Sequence, residues 1–528
     1  MTRRRLLAAG AGLAATTGVW AAACSEDTGH ATTGTGKGLG TASAAATSAA
    51  KSTARASDWT ALGKGLGGGL LRPGDADYTA ASRLYNTRFD RLRPAGIAYV
   101  SGTADIAACL SFARRFSVPV AIRNGGHSYA GWSSGDNRLV IDVSRLKAIR
   151  TPTSTTAVVG AGAKLIDVYS TLGGQGVAIP AGSCPTVGVS GLTLGGGHGI
   201  LSRAYGLTCD SLTGATLVTA DGRTVECDSS RNPDLFWALR GAGNGNFGVV
   251  TELRFRTRKV AGGVTGYVSW PWAKAADVLR AWQEWGPALP DEIWSACDLS
   301  VAAGGTPHIS VAAFTIGTRG DLENALDRLI SKAGGGNTAA PRLRPHSFLD
   351  TVRAYAGCDD KSTAQCHLPG RTPGREAAGK LERETYAARS DFFDRSLGTA
   401  GVRALIDQME RFGRRGGGGG ASVQLTALGG AVNRVQPLAT AFVHRRSRFL
   451  AQYLTSWKAG DPGAAQTSWL DGIHAAMLRY ASGAAYQNYT DPGLKDWRKA
   501  YYGSAADRLA KIKGQYDPHR LFDFPQAL

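Results

Sequence analysis

Two short segments of this chain set a nucleophile beside packed glycines. His127 lies in Arg123-Asn124-Gly125-Gly126-His127-Ser128-Tyr129. Cys184 follows 57 residues later, in Gly182-Ser183-Cys184-Pro185-Thr186-Val187-Gly188. Glycine lets a backbone approach a flat or phosphorylated ligand closely. A neutral imidazole nitrogen and a thiolate are both nucleophiles. On residue type alone, His127 also reads as an ordinary hydrogen-bonding histidine and Cys184 as a buried thiol. A third segment, Tyr486-Gln487-Asn488-Tyr489, offers two phenols. A phenol ionises at a pH of about 10 and acts as a base only where neighbours stabilise its anion; aromatic pairs of this kind are otherwise core.

Further glycines follow Cys184. Gly188-Val189-Ser190-Gly191 and Gly195-Gly196-Gly197-His198-Gly199 can present backbone N–H groups to a pyrophosphate, or simply make a tight loop. Gly243-Asn244-Gly245-Asn246-Phe247-Gly248 fits G-x-G-x-x-G. A nicotinamide site needs that pattern to open a helix, whereas Val249-Val250-Thr251-Glu252-Leu253-Arg254-Phe255 alternates as a strand, which excludes it. Neither Gly188-Val189-Ser190-Gly191-Leu192 nor Gly126-His127-Ser128-Tyr129-Ala130 ends in the glycine of a nucleophile elbow. The nine histidines show no metal-ligand spacing.

Together the His127 and Cys184 segments resemble the flavin-attachment loops of the berberine bridge enzyme-like flavoproteins, members of the vanillyl-alcohol-oxidase, PCMH-type FAD-binding superfamily. The resemblance covers about residues 80 to 528. It implies one FAD bonded to His127 and Cys184, the cysteine being absent from singly linked relatives. It also implies cofactor contacts from Arg123, Asn124, Gly125, Gly126 and Ser128, and from Thr186, Val187, Gly188, Gly191, Gly195, Gly196 and Gly197. Gly245, Asn246, Phe247, Gly248, Val249, Val250 and Asn488 complete the implied set. His198 stands where many members have Tyr, Phe or Ile, and no role is assigned to it. The Tyr-x-Asn-Tyr segment implies Tyr486 as base, with Tyr489 and Tyr129 orienting substrate. Gln424 belongs to a strand that points polar groups at the substrate. Some relatives carry a carboxylate base on that strand, and its absence here favours a tyrosine-driven reaction. Val187 stands where valine leaves room for O2 in plant relatives, which implies an oxidase.

The elements around these segments predict an α+β fold: a two-part PCMH-type FAD-binding domain, and a substrate domain with an antiparallel sheet covered by helices. A chain of 528 residues exceeds one hydrophobic core. Residues 1–24 read as a twin-arginine signal peptide, from Arg3-Arg4-Arg5, an Ala-rich apolar run and Ala21-Ala22-Ala23. Cys24 behind it opens the possibility of a lipid anchor; the apolar run is too short to span a membrane. Residues 25–56 are a Ser/Thr/Ala/Gly-rich disordered linker. The FAD-binding domain is expected over 57–260, with helices at Ala104–Phe116 and Leu165–Leu172. Strands are expected at 118–122, 139–143, 157–162, 213–218 and 249–255. The substrate domain is expected over 261–475, with helices at 321–332 and 447–457 and strands at 309–316 and 422–428. Residues 476–528 should return to the first domain.

A net charge of +19 raises nucleic acid as a partner, but the basic residues are scattered and no nucleic-acid motif is present. Eight cysteines are few for a disulfide scaffold. Cys358 and Cys366 can bridge after export; Cys109, Cys209, Cys227 and Cys297 read as core thiols. The reading is an exported FAD-linked oxidase acting with O2 on an alcohol, sugar or natural product. A dehydrogenase using another acceptor and a non-catalytic binding protein are the alternatives.

Overall fold

The computed structural model describes residues 53–416 and 418–528. The expected signal peptide, Cys24 and most of the expected linker lie outside them. Four strands open the fold: β1 (Leu70–Leu71), β2 (Gly96–Tyr99), β3 (Val120–Arg123) and β4 (Leu139–Asp142), in the order β1-β2-β4-β3. β4 runs parallel to both β2 and β3. Its four residues are all buried, as a strand covered on both faces requires. The helix Thr103–Phe116 buries Ile106, Leu110 and Ala113 on one stripe. It ends at Ser117, whose φ of 53° breaks the helical path.

β5 (Ile149–Thr153), β6 (Thr156–Gly160), β8 (Leu212–Val218), β9 (Thr224–Asp228) and β10 (Val249–Arg256) form a second, antiparallel sheet in the order β5-β6-β10-β8-β9. β7 (Val177–Ala178) and β11 (Arg258–Lys259) pair as a short ribbon. These sheets share one core with the end of the chain: Tyr501, Tyr502, Leu509, Phe522 and Leu528 pack in the same cluster as Ile141, Val159 and Leu217.

The remaining strands are β12 (Gly262–Trp270), β13 (Ile293–Ala302), β14 (His308–Thr315), β15 (Arg342–Ser347), β16 (Tyr386–Phe393), β17 (Gly420–Ala427) and β18 (Phe449–Ser456). They make one antiparallel sheet in the order β15-β12-β14-β13-β17-β18-β16. Val268, Val311, Cys297, Leu299, Val423, Leu425 and Tyr453 lie in a second core. Helices Ala275–Trp285, Arg319–Lys332, Thr399–Gly413 and Ala464–Leu478 contribute the other side of that core. The alternate residues of the strands face the opposite way, toward the first domain.

One element departs from expectation. Residues 447–457, expected as a helix, form β18 instead. Six of its eight residues are buried, because it sits second from the edge and is covered on both faces. A run with little polar alternation carries no period to separate strand from helix, so its neighbours β16 and β17 decide. Cys358 and Cys366 are bonded to each other, and the four expected core thiols are buried and unbonded.

Candidate active site

His127 and Cys184 stand on loops that meet, the first after β3 and the second between β7 and the helix Val189–Leu194. The His127 loop follows β3, whose last residue, Arg123, is paired with Asp142 at the end of β4 in the interior. Asn124 donates to Ser190 Oγ at 3.1 Å and to the Ala161 carbonyl, and accepts from Lys164 Nζ at 2.9 Å. Burial lowers Lys164 to about 8. The two loops then meet backbone to backbone. A Cβ on Gly125 would lie 2.5 Å from the Gly188 nitrogen and 2.7 Å from the Thr186 oxygen, so only glycine fits there. His127 Nε2 is 2.8 Å from Thr186 Oγ1, and its ring stacks on Tyr85 at 4.0 Å. Ser128 Oγ accepts the Trp132 N–H.

His127 and Cys184 line one cavity of about 1390 Å³, together with Asn124, Gly125, Gly126, Ser128, Val187, Gly188 and Gly191. The Cys184 thiol is partly exposed. The core thiols differ: burial pushes Cys109 and Cys227 up to about 12. The loop after Gly243 contributes Gly245 and Asn246 to the cavity wall. Phe247, Val249 and Val250 turn inward and pack in the core, and Gly248 closes on the Val218 carbonyl. The Asn246 side chain bonds the Ala242 carbonyl and the Leu528 N–H, tying this loop to the end of the chain.

The opposite wall carries the tyrosines. Tyr486 is 2 % exposed. Its oxygen accepts from the Gly197 N–H and from Asn488 Nδ2, each at 2.8 Å. Asn488 also donates to the Leu192 carbonyl and accepts from Asn244 Nδ2. A Cβ on Gly195 would fall 2.1 Å from its oxygen. So Gly195 and Gly197 work here by admitting and bonding the Tyr486-Asn488 segment. Burial pushes the Tyr486 phenol above its ordinary range, against the two donors, which favour its anion. The ring of Tyr489 stands 5.0 Å from Tyr486 and 5.2 Å from Tyr129. Tyr129 Oη accepts from Gln452 Nε2 at 2.7 Å.

Two residues enter the site that sequence reasoning left out. His198 Nε2 lies 2.8 Å from Tyr489 Oη. The signal for it was its place beside Gly195–Gly197. Asp298, on β13, accepts from Gln424 Nε2 at 2.8 Å. Burial raises its carboxyl to about 6. Gln424 has no carboxylate on its own strand, and the sheet supplies one from the next. Nothing in the sequence around Asp298 marks it.

A mixed α+β fold with two glycine-lined loops that carry His127 and Cys184 and a tyrosine-bearing C-terminal segment is in keeping with a class of flavoprotein. The chain matches the family model "FAD binding domain" over residues 94–228 and "Berberine and berberine like" over 485–528. It is 32% identical to the FAD-linked oxidoreductase YgaK of Bacillus subtilis over 88% of this chain and 97% of that protein. It is 30% identical to the chitooligosaccharide oxidase of Gibberella zeae, over 86% of this chain and 91% of that one. The solved structure of Physcomitrella patens BBE-like 1 superimposes with a TM-score of 0.80 at 30% identity, covering 89% of this chain and 98% of that one. The chain therefore belongs to the berberine bridge enzyme-like FAD-linked oxidoreductases. Among the described residues no cluster could hold a metal ion, and no helix is long and apolar enough to cross a membrane.

Proposed function

We propose that this protein is an exported oxidase with FAD held by two covalent bonds, to His127 and Cys184, acting on a sugar or a secondary alcohol of a natural product. One observation carries this reading: both nucleophiles and the tyrosines 129, 486 and 489 open on a single cavity between the two cores. The wall fits a flavin dinucleotide. Gly125 and Gly188 bring backbone within reach of it, a Cβ on Gly191 would meet nothing within 4 Å, and the buried Asn244 Oδ1 has no protein donor. FAD bound there would supply a hydride acceptor that O2 could reoxidise, with H2O2 as the second product.

The protein's own residues then have three tasks. Thr186 bonds the His127 ring at Nε2 and helps to fix its orientation. Tyr129, held by Gln452, and Tyr489 orient the substrate. Tyr486 takes the hydroxyl proton, with the Gly197 and Asn488 N–H groups stabilising its oxygen as charge develops. A second reading of the proton's path is favoured by the His198–Tyr489 bond: Tyr489 accepts the substrate proton and passes its own to the imidazole. Val187 at the cavity wall is in keeping with access for O2. The N-terminal arginines and alanines support twin-arginine export, and Cys24 a lipid anchor.

Acid denaturation followed by washing tests the attachment. Flavin should stay in the pellet, on peptides containing His127 and Cys184. Flavin released to the supernatant rejects covalent attachment. Stopped-flow reoxidation by O2 tests the oxidase, and a slow rate would identify a dehydrogenase with another acceptor.

A further inference from the structure

A row of polar side chains crosses the substrate sheet from strand to strand. Register places Ser269, Ser310, Asp298, Gln424, Gln452 and Ser390 opposite one another on β12, β14, β13, β17, β18 and β16. The first five line the cavity. The row is anchored at its near end, where Gln452 donates to Tyr129 Oη and Ser390 Oγ accepts the Tyr486 N–H. Asp298 stands two strands away from Gln452. At about 4.8 Å per strand, that sets its backbone roughly 10 Å from that of Gln452, away from Tyr129 and Tyr486, to which the proposed function gives the substrate hydroxyl.

Its surroundings say what it can do instead. Along β13 its same-face neighbours are Ala296 and Ser300, and across the sheet they are Ser310 and Gln424. Three of the four are small and none is charged, so the carboxylate is reached from the cavity. Among the described residues no Lys, Arg or His forms an ion pair with it; Gln424 is its hydrogen-bond donor. Further along the same face stands Trp294, 4 % exposed. Its indole Nε1 is buried with no protein partner, as is the hydroxyl of Tyr355, whose ring meets Trp294 edge-on at 5.2 Å. Burial raises the Asp298 carboxyl only to about 6, so it is ionised at neutral pH. A half-buried carboxylate in the cavity wall with one amide donor is a poorly compensated charge, and a ligand cation would complete it.

We propose that Asp298 is a subsite for a protonated amine on the substrate, with Trp294 and Tyr355 bonding neighbouring hydroxyls, so that the protein takes an amine-bearing sugar of at least disaccharide size. The proposal rests on the sugar-oxidase reading above and adds the charge that the substrate carries.

The test is anaerobic stopped-flow reduction of the yellow holoprotein at neutral pH, read from the flavin absorbance, with binding taken from the sugar concentration that gives the half-maximal rate. The two probes are the disaccharide of glucosamine and its hydroxyl counterpart, cellobiose. The glucosamine disaccharide should bind about tenfold tighter, and D298N, with its flavin spectrum intact, should bring that ratio to about one. W294F should weaken both sugars and leave the ratio standing. If both sugars bind and wild type shows no preference, or D298N keeps it, the amine subsite is overturned while the sugar-oxidase reading survives. If neither sugar perturbs the flavin, the sugar reading falls and takes the subsite with it.

Discussion

The two walls of the cavity are built in opposite ways. The proposed cofactor wall comes from short contiguous segments, in which glycines admit close neighbours: Gly125 the backbone of Gly188 and Thr186, Gly195 the side chain of Asn488. The proposed substrate wall comes from a sheet in which six strands each contribute one side chain to a row, from Ser269 to Gln452 in the chain, across some 180 residues of sequence. At Gly125 the first wall has almost no freedom to vary, since an added methyl collides with main chain. The second can exchange side chains while the sheet beneath it stays the same. One scaffold can thus keep a cofactor and change its substrate.

The largest expected effect tests the rigidity of the first wall. G125V would drive a branched side chain into the Gly188 nitrogen at 2.5 Å, and main chain has no rotamer by which to yield. The protein should purify colourless, with the flavin absorbance lost and the far-ultraviolet dichroism of the sheets retained. A yellow G125V protein would mean that the contact between the loops does not set the flavin site. Next in size is Y486F, which removes the oxygen that joins the two walls through Gly197 and Asn488. Flavin reduction in single turnover should slow by about 10²- to 10⁴-fold, the range for a lost general base, with substrate binding largely kept. Loss of less than tenfold would move the proton path to Tyr489 and His198.

Legibility in the sequence follows the same division. His127, Cys184 and the Tyr486–Tyr489 segment were readable because their chemistry and their glycines are neighbours along the chain. The first-domain strands were readable because short apolar runs end at turns. β18 was not: a run buried on both faces has no alternation, and β16 and β17 alone make it a strand. Asp298 was not either, since its meaning lies in pairing with Gln424, 126 residues away. Nor was the inward turn of Phe247, Val249 and Val250; that apolar loop serves the core, and Gly245 and Asn246 do the facing.

A smaller effect is expected where the C-terminal segment clamps the walls together. His444 stacks on Phe392 of β16 at 4.3 Å, and its Nε2 donates to the Tyr501 carbonyl at 3.0 Å. Burial lowers its pKa from 6.5 to about 4. The unfolded chain therefore takes up a proton that the folded protein refuses until the pH is near 4. Stability should be complete above pH 6.5 and fall as the pH drops to about 4, by about 3 kcal/mol in all. Urea unfolding of wild type and H444Q at pH 7 and pH 4.5 checks this. H444Q, which has no proton to take up, should show a smaller difference between the two pH values. An equal difference would assign the acid sensitivity to other groups.

The smallest effect concerns His198. His198 belongs by sequence to the glycine wall and by contact to the tyrosines, through the 2.8 Å bond to Tyr489 Oη and an edge-on ring contact at 5.7 Å. H198F keeps an aromatic ring there and removes the nitrogen. If the imidazole only packs, turnover should be unchanged. If it holds the Tyr489 hydroxyl and shares its proton, kcat should fall about tenfold, the cost of roughly 1.4 kcal/mol expected for one lost hydrogen bond. KM should shift less, because the ring still fills its place. The acidic limb of the kcat–pH profile separates the two roles. A limb that persists in H198F and in H198Q, with kcat restored in H198Q, would mean positioning alone, since glutamine can bond the phenol but does not titrate in that range. A limb absent from both variants would mean that the imidazole carries the proton, and the glycine wall would then supply chemistry as well as a cradle.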